Sequence, residues 1–197
     1  MTREEALAIA GPLSRTSKMP CPSYSLPAQE CKTGGKLHEI EGSVCHGCYA
    51  RKGNYVWPNV QRALYRRLDA IKDPRWVEAM VTLIRLEGNK HFRWHDSGDL
   101  QNMKHLGKIV AVAERMPWVR FWLPTKEYKL VRGVTFPKNL TVRVSAPMID
   151  GAIPGFQWTS SVVTRGATCN APKQDGQCKS CRACWDKRVK HVSYRRH

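Results

Sequence analysis

Between residues 57 and 146 the chain alternates segments of helical apolar period with short segments of strand-like character. WPNVQRALYRRLDAIKD places Val60, Leu64, Leu68 and Ile71 on one helical face, with Pro58 suited to the first turn. DPRWVEAMVTLIRLEG follows as a second helix, with Asp73 as its N-cap and Gly88 as its stop. HFRWH reads as a short strand that breaks at Asp96-Ser97-Gly98. LQNMKHLGKIVAVAERM is the clearest amphipathic helix, burying Leu100, Met103, Leu106, Ile109, Val110 and Ala113. VRFWLP then reads as a strand, TKEYKLVRG as a short helix and NLTVRVSA as a further strand, with another strand suggested near SSVVT.

Each crossover between strands is long enough to hold a helix, so the strands pair in parallel and the fold class is α/β. In parallel sheets functional groups gather beyond the carboxyl ends of the strands. HDSGD, PTKE and SAPMID fall there in turn and predict one shared polar pocket. The plainer reading is that Ser97-Gly98-Asp99 caps the next helix and that Thr125 is an N-cap, with Glu127 favouring the helix terminus.

At 197 residues the chain reads as one α/β domain: an N-terminal cysteine segment (1–56), a βα core (57–165) and a C-terminal cysteine segment (166–197). Its first thirty residues hold early acids and no continuous apolar run, so no signal peptide or membrane span is expected. A cytoplasmic address follows, where thiols stay reduced and a disulfide framework is disfavoured. The net charge of +17, dense at Arg62–Arg67 and in the terminal DKRVKHVSYRRH, suits a polyanion such as nucleic acid. Good solubility, or offset by anionic cluster–thiolate centres and an anionic ligand, explains it equally. No zinc-finger, helix-turn-helix or RNA-recognition pattern is present.

The eight cysteines change the picture most. Cys21, Cys31, Cys45 and Cys48 lie near the start, Cys169, Cys178, Cys181 and Cys184 near the end, and none between. Four thiolates is the ligand count of one structural zinc or one [4Fe–4S] cluster. Cys178, Cys181 and Cys184 stand in consecutive two-residue steps, closer to a ferredoxin run than to a zinc knuckle. Cys45 and Cys48 form a second knuckle, with Cys31 as the nearest third ligand and Cys21 as the weakest member, a plain thiol in the alternative reading. His46, inside that knuckle, is expected to point outward. Three ligands with an open fourth position permit chemistry at the open iron, whereas closed sites are structural or pass electrons. Sequence alone also allows one site to draw cysteines from both ends.

Taken together, SKMPCPSYSLPAQECKTGGKL, GSVCHGCYARKGNY, FRWHDSGDL, FWLPTKEY, NLTVRVSAPMIDG and CKSCRACWDKRVKHVSY resemble the bacteriophage gene-product-eighty-eight family. That resemblance implies a phage origin, a place in the infected host's cytoplasm and iron–sulfur binding. A more distant resemblance is to radical S-adenosylmethionine enzymes, whose three-cysteine loop holds a [4Fe–4S] cluster with one open iron. It implies a partial (β/α) barrel with S-adenosylmethionine as cofactor. Cys45, Cys48 and Tyr49 resemble the end of the family's loop, although thirteen residues separate Cys31 from Cys45 where the family has three. Ser97-Gly98-Asp99 resembles the second-strand motif that binds the cofactor's amino group, and Ser145 sits where a ribose contact falls.

Trp76, Trp94, Trp118 and Trp122 are expected in the core rather than as stacking platforms for single-stranded nucleic acid. Trp185, next to Cys184, is expected to shield a cluster. His95 and Asp96 adjoin the pocket, as an acid–base pair or as structural residues. No G-x-S-x-G, Walker-type or H-E-x-x-H motif supports a hydrolase. Two functions remain. One is an iron–sulfur protein, with one or two clusters, in a redox or radical-SAM-like role with a small-molecule ligand or electron donor. The other is a structural zinc or closed-cluster protein binding nucleic acid.

Overall fold

The computed structural model describes residues 1–196, and so the final residue of the basic tail, His197, lies outside the described residues. Six strands form one sheet in chain order, every neighbouring pair parallel: β1 (Ser23–Tyr24), β2 (His91–Trp94), β3 (Arg120–Thr125), β4 (Leu140–Ser145), β5 (Thr159–Val163) and β6 (His191–Arg195). The sheet is open, since β1 and β6 are its two edges. Helices α3 (Pro58–Ala70) and α4 (Trp76–Glu87) join β1 to β2, α5 (Met103–Arg115) joins β2 to β3, and α6 (Tyr128–Val131) joins β3 to β4. The last two crossovers contain no α-helix, and the final one carries the C-terminal cysteines.

Local chemistry sets the helix limits. Pro58 occupies the first turn of α3, and Gly88 ends α4 at φ 65°, donating its N–H to Arg85 O. Asn102 caps α5 by accepting the His105 N–H at 2.9 Å. Asp73 does not cap α4. Its carboxylate accepts the N–H of Arg75, which occupies the cap position itself. Leu100 precedes α5, so counting a helical face from it misplaces Met103, which is 53% exposed, and the buried stripe is His105, Leu106, Ile109, Val112 and Ala113. Two N-terminal helices were not anticipated, α1 (Arg3–Ala10) and α2 (Lys32–His38).

Alternation along the strands gives the sheet two unlike faces. Phe92, Trp94, Phe121, Leu123, Val142 and Val144 join Trp76, Met80, Leu106 and Ile109 in the main core under the helices. The other face presents Arg93, Trp122, Thr141 and Arg143. The C-terminal cysteine segment covers it, as Cys21, Trp122 and Trp185 form a small second core with Cys184 and Tyr194. Arg143, with no exposed surface, ties this cover down by donating to the carbonyls of Ala183, Cys184, Asp186 and Val189 at 2.8–3.0 Å. Thr141 donates to Trp185 O, and Trp185 Nε1 to Phe92 O. Trp118, expected in the core, is 58% exposed in the turn before β3. Among the described residues no helix is long and apolar enough to cross a membrane.

Candidate functional site

The three loops at the carboxyl ends of β2, β3 and β4 bond to one another. Asp99, after β2, accepts from Leu100 N (2.7 Å), Thr125 Oγ1 (2.6 Å) and Lys126 N (2.8 Å). Tyr128, at the start of α6, donates to Ser145 O at the end of β4 (2.7 Å). Ser145 Oγ pairs with Ser160 Oγ on β5 at 3.0 Å. Burial pushes the Asp99 carboxyl up to about 6, against the three hydrogen bonds that lower it. Thr125 is thus no simple N-cap. It ends β3, accepts from Glu127 N and donates to Asp99. Glu127 in turn accepts the Thr33 N–H and hydroxyl at 2.8 and 2.9 Å, anchoring α2 to the β3 loop.

Cys31 stands at the N-cap of α2, and Cys45 and Cys48 flank one tight turn closed by Cys48 N to Cys45 O. At Gly34 an added Cβ would lie 3.1 Å from Cys31 Cβ and 3.5 Å from Cys45 Sγ, so a glycine lets α2 approach both thiols. Burial raises the Cys31 thiol, and Asp99, Cys48 and Cys45 raise it further. Burial also raises Cys45, with Lys126 opposing and Cys48 and Asp99 adding to the shift. The three thiols and Asp99 therefore share one neighbourhood at the sheet edge. His46 is exposed and its Nδ1 bonds His38 O, away from the thiols, while His38 Nδ1 bonds Cys45 O. A cleft of about 780 Å³ runs beside this edge between Lys32, Thr33, Gln101, Lys126, Glu127 and Tyr128.

Ser97 and Gly98 serve the loop's seat. Ser97 Oγ donates to Leu26 O at 2.8 Å, and Leu26 N returns a bond to Ser97 O. Gly98 has φ +81°, and a Cβ there would stand 2.6 Å from Leu26 Cβ and 2.8 Å from Leu26 O. His95 and Asp96 do not pair. At φ 60° His95 sends its ring into the core beside His105, centroids 5.3 Å apart, whereas Asp96 accepts from Ser23, Ser25 and Tyr55.

The C-terminal cysteines form a separate neighbourhood. Burial raises Cys178, with Cys169 and Cys181 adding to the shift; burial also raises Cys184 to about 11, and Cys169 and Cys178 add there too. Cys21 belongs with them rather than with the N-terminal group: it is buried against Trp122, Trp185 and Cys184, and burial raises its thiol, with Cys178 adding to the shift. Among the described residues no three His, Cys, Asp or Glu side chains are gathered so as to hold a metal ion.

Arg93 and Arg143 belong to no functional motif in the sequence. Each stands in a short strand between apolar residues, and alternation sets both on the face opposite the main core. A lone arginine inside an apolar strand was the available signal. Thr33 and Tyr128 carried none, because their partners lie 94 and 17 residues away.

Fold and site together define an open parallel α/β protein with cysteines and polar loops gathered at the carboxyl edge of its sheet. The chain belongs to a phage family, since the gene product 88 family model matches residues 2–157. The matched span holds Cys21, Cys31, Cys45, Cys48 and the three polar loops, and ends before Cys169. No curated protein and no solved structure matches the chain.

Proposed function

We propose that this is a phage iron–sulfur protein in which Cys31, Cys45 and Cys48 hold a [4Fe–4S] cluster with one open iron, in a redox or radical-SAM-like role. The observation carrying this reading is that Cys31 and Cys45 both close on Gly34 of α2, with Cys48 in the same turn as Cys45 and the Asp99 carboxylate adding to the upward shift of both buried thiols. Strand order adds support, because six parallel strands in chain order suit a partial (β/α) barrel with its site at the carboxyl edge. The residues fit a cluster: α2 closes on Cys31 and Cys45 at a glycine, and Lys126 supplies positive charge beside them. When bound, the cluster supplies one-electron chemistry.

The chain's own groups would orient S-adenosylmethionine. A carboxylate offers about four acceptor sites, and three at Asp99 are taken, which leaves one for an ammonium group. Ser145 Oγ, paired only with Ser160 Oγ, has capacity for a ribose hydroxyl. Ser97 and Gly98 would act by holding the loop on Leu26. Cys169, Cys178, Cys181 and Cys184 fall to metal in the same reading. The test is anaerobic titration of the iron-loaded protein with S-adenosylmethionine, read by electron paramagnetic resonance of the reduced cluster. A changed signal in the native chain that is lost in Asp99→Ala is expected. No change with the native chain refutes cofactor binding.

A second reading rests on the charge. Among the described residues only four ion pairs involve Lys or Arg, against 33 Lys and Arg in the chain, so most of the positive charge has no carboxylate partner. Binding to single-stranded DNA whose affinity falls steeply with salt, by zinc-loaded protein without sulfide, would favour that reading.

A further inference from the structure

The sheet face under the C-terminal segment holds nitrogens that nothing in the protein satisfies. Arg93 Nε, Trp122 Nε1 and His91 Nε2 are all buried without a hydrogen-bond partner among the described residues. They are neighbours: the Arg93 guanidinium lies 4.7 Å from the Trp122 ring centroid, and Trp185 packs edge-on against both Trp122 (5.2 Å) and His91 (5.5 Å). A buried polar group left unpaired costs about 1–3 kcal/mol, so the Arg93 and Trp122 donors call for acceptors, and His91 Nε2, donor or acceptor by its tautomer, for a partner of its own. Arg93 also makes no ion pair among the described residues; burial disfavours its charge, and Tyr49, which hydrogen-bonds it, Asp96, Tyr194 and Cys184 favour it.

Two cysteines lie against this group. Cys21 packs against Trp122 and Trp185, with Cys184 and Tyr194 beside them, and Tyr194 Oη lies 3.2 Å from Cys184 Sγ. Cys178 N donates to Lys18 O at 3.3 Å, which fastens the cysteine loop to the segment just before Cys21. A neutral thiol has little use for a guanidinium. Thiolates and bridging sulfides do, because they accept N–H bonds and carry negative charge.

We infer that Cys21 is a ligand of a second iron–sulfur centre, formed with cysteines of the C-terminal group and held on the sheet by Arg93, Trp122 and the Arg143 clamp. The inference shares the iron–sulfur assumption of the proposed function but not its site. Cys21 fills one of the four iron vertices and three cysteines of the C-terminal group fill the others, so Cys21→Ser leaves the centre one ligand short. Arg93 acts as a positioning residue that offsets the centre's negative charge.

Four full-length chains, purified and reconstituted without oxygen, test it: native, Cys21→Ser, a triple variant with Ser at 31, 45 and 48, and the two combined. Iron and acid-labile sulfide are counted in each. The native chain should hold about eight irons, the triple variant and Cys21→Ser about four each, and the combination close to none. The four irons left in Cys21→Ser show that this variant folds. If Cys21→Ser keeps all the iron of the native chain, or the triple variant holds none, the inference is overturned while the N-terminal site stands. If the triple variant loses nothing and Cys21→Ser loses four, the N-terminal site falls and the inference stands. An iron-free native chain refutes both. Should Cys21→Ser fail to fold, Arg93→Gln in the triple variant decides: a lower midpoint potential, from loss of a nearby cation, is expected, and an unchanged one overturns the inference.

Discussion

Single side chains hold this site in place, and two of them make sharp predictions. Gly98 stands at φ +81° with no room for a Cβ against Leu26. Gly98→Ala should cost about 2–4 kcal/mol in urea unfolding, combining left-handed strain with a backbone clash; a loss within 0.5 kcal/mol, roughly the scatter of a neutral surface change, would show that the loop tolerates a side chain. His95 and His105 are both buried, and burial holds His95 well below its usual range and His105 at about 3. The folded state therefore keeps both rings neutral while the unfolded chain takes up protons near pH 6.5. Stability is full above that pH and falls as pH drops toward 3, at up to about 1.4 kcal/mol per pH unit for each ring. His105→Phe should flatten the slope between pH 6 and 4, and an unaltered slope would show that His105 does not contribute.

At the scale of elements, much of the α/β core was legible because its signals are local. Pro58, Gly88 and the 3.6-residue period give α3, α4 and α5, and alternation gives β2 to β4. Asp73 and Met103 misled because a cap and a face were counted from residues outside the helix. Helix α1 had a readable mark in the Thr2–Glu5 capping box, where Glu5 N donates to Thr2 Oγ1 at 3.2 Å and Thr2 N to Glu5 Oε2 at 2.7 Å. Helix α2 had none: KTGGKLH holds two poor helix formers, and Glu127, 94 residues from Thr33, fastens it. Strand β1 has two residues and β6 follows a long irregular crossover, so neither carries a period. The cysteine groups were visible by spacing, but the place of Cys21 was not, since its neighbours come from β3 and the C-terminal segment. The described part of the C-terminal segment has only two single 3-10 turns and no α-helix, and four of its carbonyls rest on Arg143. Arg143→Leu should leave those carbonyls unpaired, lower stability by at least about 3 kcal/mol and open residues 164–190 to limited proteolysis. An unchanged digestion pattern would show that other contacts hold the segment.

The whole molecule is a half-open parallel sheet with chemistry-bearing loops along its carboxyl edge and a cysteine-rich cover over one face. The cover sets Cys21 and Cys184 against Trp122 and Trp185 on one face, and the main helical core fills the other. The central claim is that Cys31, Cys45 and Cys48 hold an iron–sulfur cluster there. Its most direct test is iron, zinc and acid-labile sulfide per chain in protein purified without oxygen, before and after all three are replaced by Ser. A loss of about four irons and four sulfides is expected. Equal iron in both proteins, or zinc without sulfide in the native chain, would contradict it.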